Sequence, residues 1–176
     1  MRRLLFSAAI AALLVACSPP ASKQSEAPTE PAPQVQACND VAPNLSQMVS
    51  IASEQAVASA ASDLRGGAIN PGTYDLTRAV RIGEATGWQG QRAVTLEVAE
   101  DSSGAVTFNW AGAAAAGEVD RWTARFNDTG EHPILSYTCG RMGDVAAEFT
   151  AAQNALTLRV PDGANGSLQL DFARRG

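Results

Sequence analysis

The chain has a single histidine, no Cys-x-x-Cys pair and no apolar run long enough to cross a bilayer. Each absence removes a class of chemistry. A Ser-His-Asp arrangement needs a base, and the one candidate, His132, stands directly before Pro133 at the end of a turn-forming stretch that starts at Asn127, which reads as a solvated loop position. No second His and no acidic cluster at ligand spacing accompanies it, so neither a metal nor another cofactor is expected. Gly83, Gly87 and Gly90 do not lead from a strand into a helix and make no phosphate cradle. The acidic pairs Glu118 with Asp120, and Glu97 with Glu100 and Asp101, fall on outward strand faces or at turns, where they read as solubilising charge. No catalytic residue is assigned, and the expectation is a non-enzymatic protein. Basic residues are in deficit too, 13 against 18 acidic ones for a net charge of -5. Nucleic acid calls for a basic face, so it is not an expected partner.

What is present begins with Arg2 and Arg3, followed by an uncharged apolar run from Leu4 to Val15 and then Leu14-Val15-Ala16-Cys17. The run is far short of the roughly 20 residues that span a membrane. It resembles the signal of a bacterial lipoprotein. That resemblance implies cleavage after residue 16 and lipid on the Cys17 thiol, and acyl chains that each bury many methylenes at about 0.8 kcal/mol apiece hold such a protein at a membrane. In Gram-negative lipoproteins an Asp after the lipid-bearing residue commonly signals retention in the inner membrane. Here Ser18 stands there, so the resemblance implies the periplasmic side of the outer membrane. Loss of Arg2 and Arg3 would take the mature charge from -5 to about -7.

Residues 17–37 follow as a Pro-, Ser-, Ala- and Glu-rich stretch with almost no large apolar side chain, expected to be a disordered stalk. Residues 38–176 are of ordinary size for one domain, expected as a monomer. Of the 3 cysteines, Cys17 is reserved for lipid, and two thiols left in an oxidising compartment usually pair. Cys38 and Cys139 are therefore expected to form a disulfide between the start of the domain and a late strand.

From Tyr74 onward apolar side chains alternate with polar ones, the period of half-buried strands. Tyr74, Leu76, Val80 and Ile82 share one face; so do Val94, Leu96 and Val98; Val106, Phe108 and Trp110; Trp122, Ala124 and Phe126; Leu135, Tyr137 and Cys139; Ala147 and Phe149; Leu156, Leu158 and Val160; and Leu168, Leu170 and Phe172. Turn-forming Asn, Asp, Gly and Ser residues separate them. About eight strands in an antiparallel meander can close into a barrel and so remove their edges. Asn44–Leu64, rich in alanine, reads as a short helix or an irregular packed segment. Ala111–Gly117 reads as a flexible loop.

GGAINPGTYDLT at Gly66–Thr77, Tyr137-x-Cys139 and the closing Leu168-x-Leu170-x-Phe172 resemble uncharacterised small bacterial lipoproteins with a lipocalin-like β-barrel domain. The resemblance implies that fold and no activity. Ser136–Gly163 is similar to the opening strands of periplasmic C-type lysozyme inhibitors, although their Ser-Gly-x-x-Tyr loop and an additional cysteine near the C-terminus are missing. A barrel of eight strands is filled by side chains or holds one small ligand. Tyr74, Phe108, Trp110, Trp122, Phe126 and Tyr137 are the candidate lining residues, and Trp88, in a glycine-rich loop, is a candidate partner anchor or a lid. The expected function is a tethered module for a small apolar ligand or an envelope protein. Lysozyme inhibition and a purely structural envelope role are the alternatives.

Overall fold

The computed structural model describes residues 37–55, 64–130 and 132–176. The expected signal 1–16, the expected lipid site Cys17 and all of the expected stalk except Ala37 lie outside the described residues. Contacts divide the chain into Met1–Val35 and Gln36–Gly176, and the fold is that of the second unit.

Ten strands form one sheet: β1 Val49–Glu54, β2 Gly72–Gly83, β3 Gln91–Glu100, β4 Val106–Ala114, β5 Asp120–Asn127, β6 Ile134–Cys139, β7 Asp144–Ala146, β8 Glu148–Ala152, β9 Ala155–Pro161 and β10 Gly166–Arg174. Their order is β7-β6-β5-β4-β3-β1-β2-β10-β9-β8, with β2 also paired to β3, and the sheet is open between β7 and β8. Those two ends are separated in the chain by Ala147 alone. All eight segments expected from the alternation are present, the sixth of them divided into β7 and β8. Their inward residues form one core in which Tyr74, Leu76, Leu96, Phe108, Leu135 and Leu156 are almost wholly buried. Each such side chain contributes about 1.5–3 kcal/mol through burial.

Four local readings are corrected. No helix occurs among the described residues, and Val49–Glu54, inside the segment read as helical or irregular, is a strand. It runs parallel to β2, pairing Ile51 with Ala79, and antiparallel to β3, pairing Val49 with Arg92. β2 and β3 pair only from Gly72 to Asp75 before they splay, and β1 fills the opening with Val49 and Ile51 against the core. The backbone donors of two splayed strands need partners, and this requirement overrides a weak helical propensity.

In β2, Thr77 is an extra residue at the register shift opposite Asp171/Phe172. Beyond it Ala79 stands opposite Leu170 and Arg81 opposite Leu168, so these turn inward, and Val80 and Ile82 leave the face of Tyr74 and Leu76. A second shift, in β6, pairs Ala124 with Tyr137 but Thr123 with Cys139. Cys139 therefore faces outward with Thr123, away from the side shared by Leu135 and Tyr137. Finally, Ala111–Ala114 continue β4 opposite Thr95–Arg92 instead of looping out.

Outside the sheet, residues 38–47 form a strap. Cys38 is disulfide-bonded to Cys139, with Cα atoms 5.5 Å apart. The Asn39 amide donates to the carbonyls of Trp110 and Trp122 at 3.3 and 3.0 Å, and the Arg121 guanidinium donates to the Val41 carbonyl at 3.1 Å. Arg121 thus holds the strap against β5. Ala111 and Ala113 are buried on this face, where a larger residue would lift the strap away.

Candidate functional site

The inner face separates into two aromatic groups. Phe108 and Phe126 stack with ring centres 5.0 Å apart, and Phe149 meets Phe126 edge-on at the same distance. Tyr74 is buried and donates its hydroxyl to the Asn70 carbonyl at 2.7 Å; burial pushes its ionisation up, so it stays a neutral donor. These three candidate lining residues, Tyr74, Phe108 and Phe126, fill the core.

The other three meet around a small recess. Trp110 on β4 stands directly opposite Trp122 on β5, and their rings stack at 5.0 Å. Tyr137 meets Trp122 edge-on at 5.2 Å. Trp88, from the β2–β3 connection, turns back and packs on Trp110 at 5.8 Å, so it covers the recess as a half-buried lid. Every tryptophan of the chain is in this group. Two cations close its ends: the Arg92 guanidinium lies over Trp88 at 5.5 Å, and that of Arg141 lies over Trp122 and Tyr137 at 5.6 and 5.8 Å. Such contacts contribute about 0.5–2 kcal/mol, more as water is excluded.

The space enclosed by Trp88, Trp110, Trp122, Tyr137, Leu135 and Arg141, with apolar residues of β9 and β10, is about 50 Å³. Drug-sized ligands occupy pockets of roughly 300–1,000 Å³. The interior is therefore filled by its own side chains except for room of the order of a few water molecules.

Two donors beside that space lack acceptors. Trp110 and Trp122 are 2% and 4% exposed, and neither indole N–H has a hydrogen-bond partner among the described residues. A buried donor left unmade costs about 1–3 kcal/mol. The Trp110 N–H lies over Gly112, where an added Cβ would come within 2.8 Å of the nitrogen. Glycine at 112 leaves that edge of the indole open. Gly140, at φ +78°, is also required: a Cβ there would fall on the Arg121 carbonyl oxygen.

A second location is open to solvent. His132 borders two clefts of about 510 and 460 Å³, one along Ala146–Glu148 and Pro161, the other along Gly66–Gly67 and Asp128. Glu148 lines both and is paired with Arg159 at 3.2 Å. Among the described residues no group of three or more His, Cys, Asp and Glu is gathered as a metal site. Glu97 of the acidic residues singled out accepts from Asn109 at 3.3 Å, and Asp120 pairs with Arg141 at 2.8 Å.

Sequence reasoning missed Arg92 and Arg141. Arg92 shares its parity with Val94, Leu96 and Val98, which marks an inward charge at the end of a strand. Arg141 carried no signal, because its place depends on the outward turn of Cys139. No family model, no curated protein and no solved structure matches the chain.

Proposed function

We propose that the chain is an outer-membrane lipoprotein of a Gram-negative bacterium, lipidated on Cys17 and carried on a stalk over residues 17–37, whose domain is a non-enzymatic small-molecule binding module on the periplasmic side. The Cys38–Cys139 disulfide supports an oxidising compartment. We read the domain as a closed, lipocalin-like barrel of eight strands in which Asp144–Ala152 is a single strand that changes partner at Ala147, from β6 to β9. The pairing of β2 with both β3 and β10 supports closure on the far side, with β1 as an insert.

The observation that carries the binding role is the tryptophan recess: unsatisfied indole donors beside an aromatic-walled space under a lid. A core that only packs gains by filling such a space or by giving its donors acceptors. Native mass spectrometry of the chain purified from the envelope tests it. A reproducible small adduct that disappears on Trp122→Phe is the expected result, and a bare mass under the mildest release conditions overturns it.

Met142 favours a second reading. It is 95% exposed at the tip of the β6–β7 turn, next to Arg141. A large apolar side chain held out on a hairpin tip suits insertion into a cleft of an envelope protein or, as the lysozyme-inhibitor likeness implies, of an enzyme. Loss of a cross-linked partner on Met142→Ser would distinguish this from the recess reading.

A further inference from the structure

The protein carries an excess of acid, yet the inner rim beside the tryptophans is lined by cations. Arg92 stands opposite Ala114 on β4 and Val49 on β1, and Arg81 stands opposite Leu168 on β10, so the register turns both toward the interior. Arg141 reaches the same group from the β6–β7 turn. Of the three, Arg141 is paired, with Asp120 at 2.8 Å. Arg81 donates to the Ser53 hydroxyl at 2.7 Å, and Arg92 has the Trp88 ring in place of a carboxylate.

Four buried N–H groups here lack an acceptor among the described residues: Nε of Arg81 and of Arg92, and Nε1 of Trp110 and of Trp122. Arginine and tryptophan side chains have donors and no acceptors. The Trp110 N–H lies over Gly112, which pairs with Val94 on one side and with Asp120, itself held by Arg141, on the other; the next inward pair is Ala114 with Arg92, so this edge of the indole lies toward the rim where the arginines stand. Beside the Tyr137 hydroxyl and the Asp120 carboxylate that Arg141 holds, the buried groups left without a partner are all donors, and such a set, with unpaired positive charge at its edge, selects a ligand with acceptors and negative charge.

We infer that the recess binds a small carboxylate. The proposal rests on the small-ligand reading above and names the ligand's chemistry. The carboxylate oxygens accept from Trp110, Trp122 and Arg92, and the body lies against Tyr137, Leu158 and Leu170, which wall the same space. A water molecule needs roughly 10–15 Å³ by this measure, so about 50 Å³ holds a head group and a chain of a few carbons. Binding a longer molecule requires Trp88 to lift.

The test uses the full chain, labelled with ¹⁵N-tryptophan and held in dodecylmaltoside micelles, where three tryptophans give three indole N–H resonances. Butyrate, butanol and butylammonium share one apolar body and differ in the head group. Butyrate is expected to shift the Trp110 and Trp122 resonances saturably, with butanol at least about tenfold weaker, the difference a charge-assisted hydrogen bond makes, and butylammonium without effect. Arg92→Gln should weaken butyrate by a similar factor, whereas Arg92→Lys, which keeps the charge and most of the packing, should retain most of the affinity. Equal shifts from butanol and butyrate would overturn the carboxylate assignment and leave a small apolar ligand standing. No shift from any of the three would remove the recess as a site, and the small-ligand reading with it.

Discussion

Tyr137 and Cys139, two residues apart in β6, face opposite sides of the sheet, because Thr138 between them has no partner on β5. The inward tyrosine closes the tryptophan group, and the outward cysteine reaches the strap. One extra residue therefore lets a single short strand serve the interior and the exterior.

Replacing Cys38 and Cys139 together by serine is expected to destabilise the fold by about 2–4 kcal/mol. The bond closes a loop of 101 positions, for which chain entropy alone gives up to about 4.7 kcal/mol. Urea denaturation of the variant and the parent checks this. The hydrogen bonds of Asn39 remain in the variant, so its native spectrum should persist.

Gly112→Ala places a methyl group against the Trp110 indole nitrogen. The expected cost is about 1–3 kcal/mol of overpacking, accompanied by a changed near-ultraviolet dichroism as the stacked rings tilt. Denaturation midpoints and the dichroism spectrum measure the two parts separately.

Trp88→Ala should leave the fold largely intact, because the side chain covers the recess from a loop and is only half-buried. It should expose Trp110 and Trp122. Acrylamide quenching of their fluorescence is expected to increase, and an unchanged quenching constant would show that something other than Trp88 excludes solvent.

Acid should weaken the fold through Asp75. Burial pushes this carboxyl up, but hydrogen bonds from Arg175, Thr95 and Asn44 outweigh that and hold it below the usual carboxylate range. The folded group thus titrates below the unfolded one, whose value is about 3.9. Its contribution is complete above the unfolded value and is lost as pH falls through the folded one. Asp75→Asn is expected to be less stable than the parent at pH 7 and to show a smaller further loss between about pH 5 and 2, measured by chemical denaturation across that range.

How much of this could be read from residues alone depends on where the alternation of apolar and polar positions stays regular. Val94, Leu96 and Val98, or Trp122, Ala124 and Phe126, keep strict alternation, and their strands are where the pattern places them. The pattern fails at Thr77 and Thr138, where one additional residue exchanges the faces and nothing in the local composition marks it. β1 was illegible for a different reason: its six residues are set by the opening between two other strands. The recess was half legible, since Trp110, Trp122 and Tyr137 follow from parity, but the arginines at its rim are assembled by a loop and a strand end distant in sequence.

The insertion of β1 also predicts an order of events during folding. Its slot does not exist until β2 and β3 have paired at one end and separated at the other, so the first strand of the domain to leave the ribosome has to wait for two that follow it. Residues 49–54 are then expected to be late to gain protection from solvent exchange and early to lose it, and partial unfolding should begin with β1 leaving its slot while the disulfide-held strap and the rest of the sheet stay in place.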